Sequence, residues 1–529
     1  MDKEDGAMTK MLLVAAFAAA YVVQAGPAGV KTLGEYVARF NAEDEELYTN
    51  SIPNAAAEKF LAANAPLFEC PDKEIERTYY FRWWTYRKHL RETPEGWVVT
   101  EFLPPVSWAR THNGIICAMG HHVMEGRWLR DNRFLDDYAR FWFKGAGAKH
   151  NMLYTCWPAL SLAERARVTG DRSALEELLD PLVAYMDRWD KWYGRTPPGH
   201  GPEYRLAFAH DSREGSEISC GGDGLRPLIN SVVWGEATTL AGVARALNRA
   251  GTAEHCEKTA ALYGKSITEL LWHRERRSFT VISTNGIHQT VRELHGFMPW
   301  YVKMPLKGYE AAWEPLMDEK TGFFGKFGLT VPERCAPGFA LDYTGHDCKW
   351  NGPSWPFATA FTLSALANAF HAGYELPVTK ADYVKALHQY AAQHVRKTEK
   401  GTTVCWIDEN LNPDTGEWLA REIILRQKRG PRERGKDYNH STYCDLVIAG
   451  LVGIVPQDGN KLVVDPLFPK EWEYLGLENV RYHGHDVSIR WDRTGGRYGM
   501  KGFMVFVDGK PAACAPAPAC LEITLPGMK

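Results

Sequence analysis

Three stretches of the chain concentrate carboxylates, amides and aromatic rings between segments of helical pattern. The first, Asp211-Ser-Arg-Glu-Gly-Ser-Glu217-Ile-Ser-Cys-Gly-Gly-Asp-Gly-Leu-Arg226-Pro, is a loop rich in acids and glycine just ahead of a helix starting near Asn230. The second, Cys348-Lys349-Trp350-Asn351-Gly352-Pro353-Ser354-Trp355-Pro356, opens a strongly apolar helix. Two tryptophans flanking Asn-Gly-Pro there can wall a stacked ring, or serve only as a hydrophobic staple with a cap. The third runs Trp406-Ile-Asp408-Glu409-Asn410-Leu-Asn412-Pro413-Asp414-Thr415-Gly416 and, past an Arg-rich stretch, Tyr438-Asn439-His440-Ser441-Thr442-Tyr443-Cys444-Asp445. Asn-Pro-Asp-Thr-Gly is an ordinary Asx-Pro turn, which leaves Glu409, just before it, as the group with chemistry to offer. Carboxyls in separate loops suit cleavage of a glycosidic bond. One protonated acid meets the leaving oxygen, a second carboxylate activates water or attacks the anomeric carbon, and rings and amides hold the sugar.

Such loops need rigid elements behind them. From about 115 to 455 the pattern is helical almost throughout, for example SVVWGEATTLAGVARALNRAG, SWPFATAFTLSALANAFHAG and KADYVKALHQYAAQHVRK, with apolar residues at i, i+3, i+4 and i+7. So many helices must bury their apolar faces on one another, and the lack of a fixed-length repeat favours a closed barrel of irregular hairpins over a short-period solenoid. Beyond about 456 the period changes to two, in KLVVDPLF, DVSIRWD, GFMVFVDG and ACLEITLP, with Asp-Gly and Gly-Gly turns between. The expected organisation is a helical and aromatic lead-in over 26–110, a catalytic barrel over 111–455 and a small antiparallel β domain over 456–529.

With 529 residues, 45% of them hydrophobic, the chain can bury a large core. A net charge of −3 and no long basic run leave no electrostatic footprint for nucleic acid or an anionic membrane. The 19 Trp and 23 Tyr, several in loop-like stretches, suit the apolar faces of sugar rings. Further polar-aromatic clusters that such a site would draw on are Trp108 with Arg110, His112 and Asn113; His121, His122 and Glu125; Tyr154 and Trp157; and His295 with Trp300. His122 and Glu125 share a helical face at metal-ligand spacing. No further ligand pattern accompanies them, so the expectation is a satisfied, partly buried His pair, with no metal and no cofactor. The eleven cysteines include no CxxC pair, and Cys514 with Cys520 could close one disulfide in an oxidising compartment. The apolar run Met11–Val23 is too short to span a bilayer and resembles the core of a secretory signal, with Val23-Gln24-Ala25 at the cleavage site. Asp2, Glu4 and Asp5 disagree with that, unless translation starts at Met8. Residues 1–25 are therefore expected to be a signal peptide, and the protein periplasmic or secreted.

Taken in order, the three segments resemble those of inverting glycosidases of glycoside hydrolase family 63 and its kin, the processing α-glucosidases, trehalases and mannosylglycerate hydrolases. In those enzymes a serine-glycine-hydrophobic-aspartate loop supplies the general acid. Glu214-Gly215-Ser216-Glu217 stands in the corresponding place, which implies Glu217 as the acid, with Glu for Asp. Their Trp-Arg-Gly-Pro-hydrophobic-Trp segment is matched by Trp350-Asn351-Gly352-Pro353-Ser354-Trp355, with Asn351 for Arg. Their general base is the Glu of a Glu-x-Tyr-Asn-Pro-x-Thr-Gly-like motif, here Glu409 to Gly416, and a Gly-Trp-Thr stretch opens their last barrel helix where this chain has Asn439-His440-Ser441-Thr442. The resemblance covers roughly 75–455. It implies a mainly α fold, an (α/α)6 six-hairpin barrel followed by a small β domain, and an exo-acting enzyme that releases a terminal α-linked sugar with inversion. The two carboxyls would then lie about 6.5–9.5 Å apart. Asp211, in the same loop as Glu217, is the alternative acid if the loop turns it inward. Arg226 belongs with the same loop as a substrate contact.

Two other classes remain open at the sequence level. A polysaccharide lyase on a similar toroid would use Tyr438, His440 and the basic run Arg426 to Arg434. A non-catalytic carbohydrate-binding protein would bind without turnover. Each reading takes an oligo- or polysaccharide as partner, with neither nucleic acid nor an integral membrane segment, and leaves oligomeric state undetermined.

Overall fold

The computed structural model describes residues 28–431 and 433–527, so the expected signal segment 1–25 lies outside the described residues. Six helical segments pack in sequence order, each on the next: Met119–Gly126, Pro158–Thr169, Pro227–Ala246, Met298–Tyr301, Pro356–His371 and the π-turn Leu446–Leu451. Glu125 joins the last segment to the first, because its buried carboxylate accepts the backbone N–H groups of Tyr443, Cys444 and Asp445 at 2.9–3.1 Å. Those are donors that a helix start leaves without an intrahelical partner. A second set of helices lies outside: Leu179–Tyr193 and Ala250–Ser266 against Pro227–Ala246, and Lys380–Ala392 against both Pro356–His371 and Lys73–His89.

Four of the six inner segments carry proline in the first turn, Pro158, Pro227, Pro299 and Pro356. Proline suits that position, since its missing N–H would find no helical partner and its φ is already helical. It also disfavours helix in the residue before it, so the loop arrives abruptly at the helix mouth. Arg226 and Trp355 are accordingly extended. The aromatic and acidic loops of the sequence thus end directly at the N-termini of the inner helices. Pro356–His371 is apolar nearly all round and buried along most of its length, as a helix packed against other helices on most of its sides requires.

The period-two segments form the expected antiparallel sheets. A five-stranded sheet has the order Leu67–Glu69, Tyr474–Tyr482, His485–Asp492, Gly502–Val507, Lys510–Ala515, and a three-stranded one comprises Ile454–Pro456, Lys461–Val464 and Leu521–Thr524. His483 and Gly484 both take positive φ in the two-residue hairpin between Tyr482 and His485, the geometry that matches strand twist. The edge strand Leu67–Glu69 comes from the lead-in and pairs with Tyr474–Tyr482, so the chain's early part is tied to its end. Cys514 and Cys520 are both exposed free thiols, so the disulfide expected between them is not formed. Among the described residues no helix is long and apolar enough to cross a membrane.

Candidate active site

A cavity of about 300 Å³ opens at the mouths of the inner helices, and its wall brings together residues from segments far apart in sequence. Four carboxyls line it: Glu217 ahead of Pro227–Ala246, Asp347 ahead of Pro356–His371, Glu409 ahead of Leu419–Gln427, and Glu101 just after the strand Gly96–Val99. Aromatic wall is supplied by Trp108, Tyr154, Trp350, Trp355, Tyr438 and His440. Trp350 and Trp355 stack nearly parallel at 4.2 Å and 12°, with the indole N–H of Trp355 donating to the Lys349 carbonyl at 2.6 Å. The Asn-Gly-Pro turn between them folds the segment back on itself so that the two rings make one slab. Trp108, 38% exposed, stands at the rim.

Glu217 sits where the backbone is constrained. Gly215 has φ +66, and a Cβ there would come within 2.9 Å of the Cys117 sulfur. Ile218, directly after the glutamate, has φ +62, a conformation that a β-branched residue adopts only under constraint. The Trp350 N–H holds the Glu217 carbonyl at 3.1 Å, and the Cys348 thiol donates to Glu217 Oε2 at 2.9 Å. Burial raises the Glu217 carboxyl above its ordinary range. Glu409 takes an ion pair from Arg434, whose guanidinium also holds Asp347 at 2.6 Å. Burial nonetheless pushes Glu409 up to about 7, against the pull of Arg434. Among the described residues no hydrogen bond links Glu217 to Glu409.

Of the residues expected from sequence, Glu217, Glu409, Trp108, Tyr154, Trp350, Trp355 and His440 meet in the cavity. The others do not line it. Asp211 turns its carboxylate onto Ser219, accepting from its N–H at 3.0 Å and its hydroxyl at 3.3 Å, so it braces the loop and the alternative acid assignment loses its geometry. Arg226 is wholly buried and paired with Glu214 at 2.6 Å, again a brace rather than a sugar contact. Asn351 points its amide at the Gly338 carbonyl. Asn439 donates to the Thr100 carbonyl. His122 is satisfied by Tyr138 and the Asn439 carbonyl, but its neighbour His121 is packed between Trp157 and Phe357 with neither ring nitrogen partnered among the described residues. The expectation of a satisfied pair therefore holds for His122 alone, because the apolar rings around His121 offer no acceptor. Trp157 is core, His295 lies behind Trp350 at 5.6 Å between ring centroids, and Trp300 packs on Trp313 away from the cavity.

Glu101 is the residue that pattern reading passed over. It is a lone acid in Thr-Glu-Phe-Leu-Pro-Pro, with no motif around it, and the Asn439 N–H on its carbonyl and the Tyr438 hydroxyl on its carboxyl tie it to the site. Arg434, lost within a basic run, is the other.

Residues 111–441 match the mannosylglycerate hydrolase MGH1-like glycoside hydrolase domain, well over half of the chain. The chain belongs to this family. Of the cavity carboxyls, Glu217, Asp347 and Glu409 fall inside the matched MGH1-like region and Glu101 does not, and residues 456–513 match the C-terminal domain of glycosyl hydrolase family 65. A solved structure named "Sialidase" is similar over 93% of this chain and 44% of its own, at 34% identity and a TM-score of 0.84. The family 78 rhamnosidase of Bacillus sp. GL1 is similar in fold alone, at 12% identity and a TM-score of 0.52 over 82% of this chain and 40% of its own. The MGH1-like chain thus spans less than half the length of either.

Proposed function

We propose that this protein is an inverting, exo-acting glycosidase that releases a terminal α-linked sugar from an oligo- or polysaccharide, with Glu217 as general acid and Glu409 as general base on an (α/α)6 barrel. The observation that carries the reading is the meeting of Glu217 and Glu409, from loops almost two hundred residues apart, in one aromatic-walled cavity. The closed order of six inner helical segments supports the barrel, and the cavity, at the small end of the usual range of roughly 300–1,000 Å³, supports an exo action on one terminal unit. Burial raises the Glu217 carboxyl above its ordinary range, the direction a general acid needs. Glu409, once ionised beside Arg434, takes a proton from water on the opposite face of the sugar. The lyase alternative is weakened because Tyr438 is already committed to Glu101 and Arg434 to Glu409 and Asp347. Export, with a signal ending at Ala25, and domain limits near 110 and 455 belong to the same proposal.

The test is hydrolysis of a panel of oligosaccharides and aryl glycosides by the wild type, Glu217→Gln and Glu409→Gln, with the product anomer followed by NMR. Both variants are expected to lose on the order of 10³-fold or more in kcat while remaining folded, and the first-formed sugar should have inverted configuration. Full activity of Glu409→Gln, or retention of configuration, removes the assignment.

A further inference from the structure

The mechanism leaves one cavity carboxyl without a task. Glu101 is buried, lines the same cavity as Glu217 and Glu409, and its position is fixed by its backbone. The Thr100 N–H donates to the His89 carbonyl at 3.0 Å, the Asn439 N–H to the Glu101 carbonyl at 3.0 Å, and the Asn439 amide to the Thr100 carbonyl at 3.2 Å. The side chain is held from one side only. The Tyr438 hydroxyl donates to Oε1, and Tyr438 is itself wedged between Phe102 and His440. Oε2 is buried with no partner among the described residues.

A buried polar atom left open in a ligand cavity is expensive unless something arrives to pair with it. Which partner it takes follows from the proton. Burial, opposed by the Tyr438 hydrogen bond and reinforced by Glu409 and Glu217, pushes the Glu101 carboxyl up to about 8. A neutral carboxyl that accepts at Oε1 carries its hydrogen on Oε2. We propose that Glu101 is a substrate-binding residue that donates a hydrogen bond from Oε2 to an oxygen of the sugar held in this cavity. This rests on the reading of the cavity as the sugar subsite, and adds to it a third carboxyl whose work is recognition, with no proton transferred in the reaction. Glu101 is poorly suited to be the general acid, since Tyr438 and the pinned backbone hold its carboxyl with Oε2 buried, whereas Glu217 has only a thiol on its carboxyl.

The experiment measures kcat and KM from pH 5 to pH 10 for the wild type, Glu101→Gln and Glu101→Ala on 4-nitrophenyl and 2,4-dinitrophenyl glycosides of neutral hexoses and pentoses. Calorimetric titration with the free monosaccharides runs alongside. Glu101→Ala is expected to raise KM and the sugar dissociation constant by roughly 10–100-fold, the loss of one buried hydrogen bond, with a smaller change in kcat. Glu101→Gln keeps an N–H at the open position and should recover most of that loss. Wild-type KM should climb above pH about 8, where the carboxyl loses its proton, while the Gln variant stays flat. An unchanged KM in Glu101→Ala overturns the proposal. So does a Glu101→Gln variant that fails on 4-nitrophenyl substrates and recovers on 2,4-dinitrophenyl ones, since that marks a general acid. Sugar binding that is sensitive to Glu101→Ala, without turnover of any glycoside, would defeat the hydrolase reading and leave this one standing. Binding of no sugar at all defeats both.

Discussion

In the proposed mechanism, Arg434 decides when Glu409 can act as a base. Its guanidinium is shared between Glu409 and Asp347 and stacks over Trp108 at 5.3 Å, so one cation both orients the base and backs the rim of the sugar site. Because burial raises Glu409 to about 7 even with the cation present, the base is protonated below that pH, and kcat/KM should fall as pH drops through about 7. Replacing Arg434 with Met removes the group that lowers Glu409, so its carboxyl rises further and the acidic limb should move to higher pH by a unit or more, with a lower plateau. A pH profile of Arg434→Met with its limb unmoved would mean that Glu409 is not the base. Glu409 and Glu217 were legible in the sequence because motif order surrounds them. Arg434 and Glu101 were not, since what brings them to the cavity is tertiary. Arg434 is one of several arginines in its stretch, and Glu101 arrives through the Asn439 N–H on its carbonyl and the Tyr438 hydroxyl on its carboxyl, which no local period records.

At the scale of elements, the loop 211–226 shows why residues of the right type can still be wrong as contacts. Acid and glycine content marked it as the piece that brings Glu217, the proposed general acid, to the cavity. Which of its acids faces the cavity is settled by a buried network: Arg226 with Glu214 at 2.6 Å, with the Ser216 and Ser219 hydroxyls at 3.1 Å, and Glu214 in turn with the Ile229 N–H at 2.9 Å. Asp211 and Arg226 hold the loop's shape and Glu217 is what remains pointing inward. The helices were read from their period and the sheets from theirs, but the strand Leu67–Glu69 was hidden within helical surroundings because three residues carry no periodicity. The network also makes a prediction. Arg226→Met leaves Glu214 charged and buried without its partner, a change that costs about 3–5 kcal/mol in comparable sites, to be measured by denaturant unfolding. The double change Glu214→Leu with Arg226→Met should recover much of that stability while activity stays low, because the loop is then packed but no longer shaped. A loss under about 1 kcal/mol in Arg226→Met would mean that the pair is not holding the loop.

For the whole molecule, burial of so many titratable groups in one helical core sets stability against pH from both directions. His89, held down to about 3 by burial, and His122 and His371, held down to about 4, are joined by His121, His394 and His440 well below the ordinary range. Each stays neutral when folded but protonates near 6.5 when unfolded, so its contribution is complete above that pH and is lost as pH falls toward the folded value. Glu101 and Glu236, raised to about 8 by burial, and Glu409, raised to about 7, have the opposite sign. Folded, they keep protons that the unfolded chain releases near 4.3, so their contribution is complete below that and is lost as pH rises toward 7 or 8. Between about 4.3 and 6.5 the two sets oppose, and the six histidines outweigh the three carboxyls, so stability falls as pH drops below 6.5. From 6.5 to 8 only the carboxyls act, each worth up to about 1.4 kcal/mol per pH unit. Calorimetry should therefore show Tm highest near pH 6.5, falling on the acid side as the unfolded chain's histidines protonate and declining again from pH 6.5 to 8. Glu236 lies away from the cavity, accepting the N–H groups of Ala159 and Leu160, so Glu236→Gln should make that decline shallower whatever it does to the Tm itself. A Tm that holds level or rises between pH 6.5 and 8 would show that these carboxyls ionise freely in the folded chain. If the decline is found, the interval in which Glu409 is ionised and Glu101 still protonated, near pH 7 to 8, lies where the fold is already giving up stability. The cavity carboxyls proposed to bind and cleave the sugar are then the same groups that weaken the molecule in that interval.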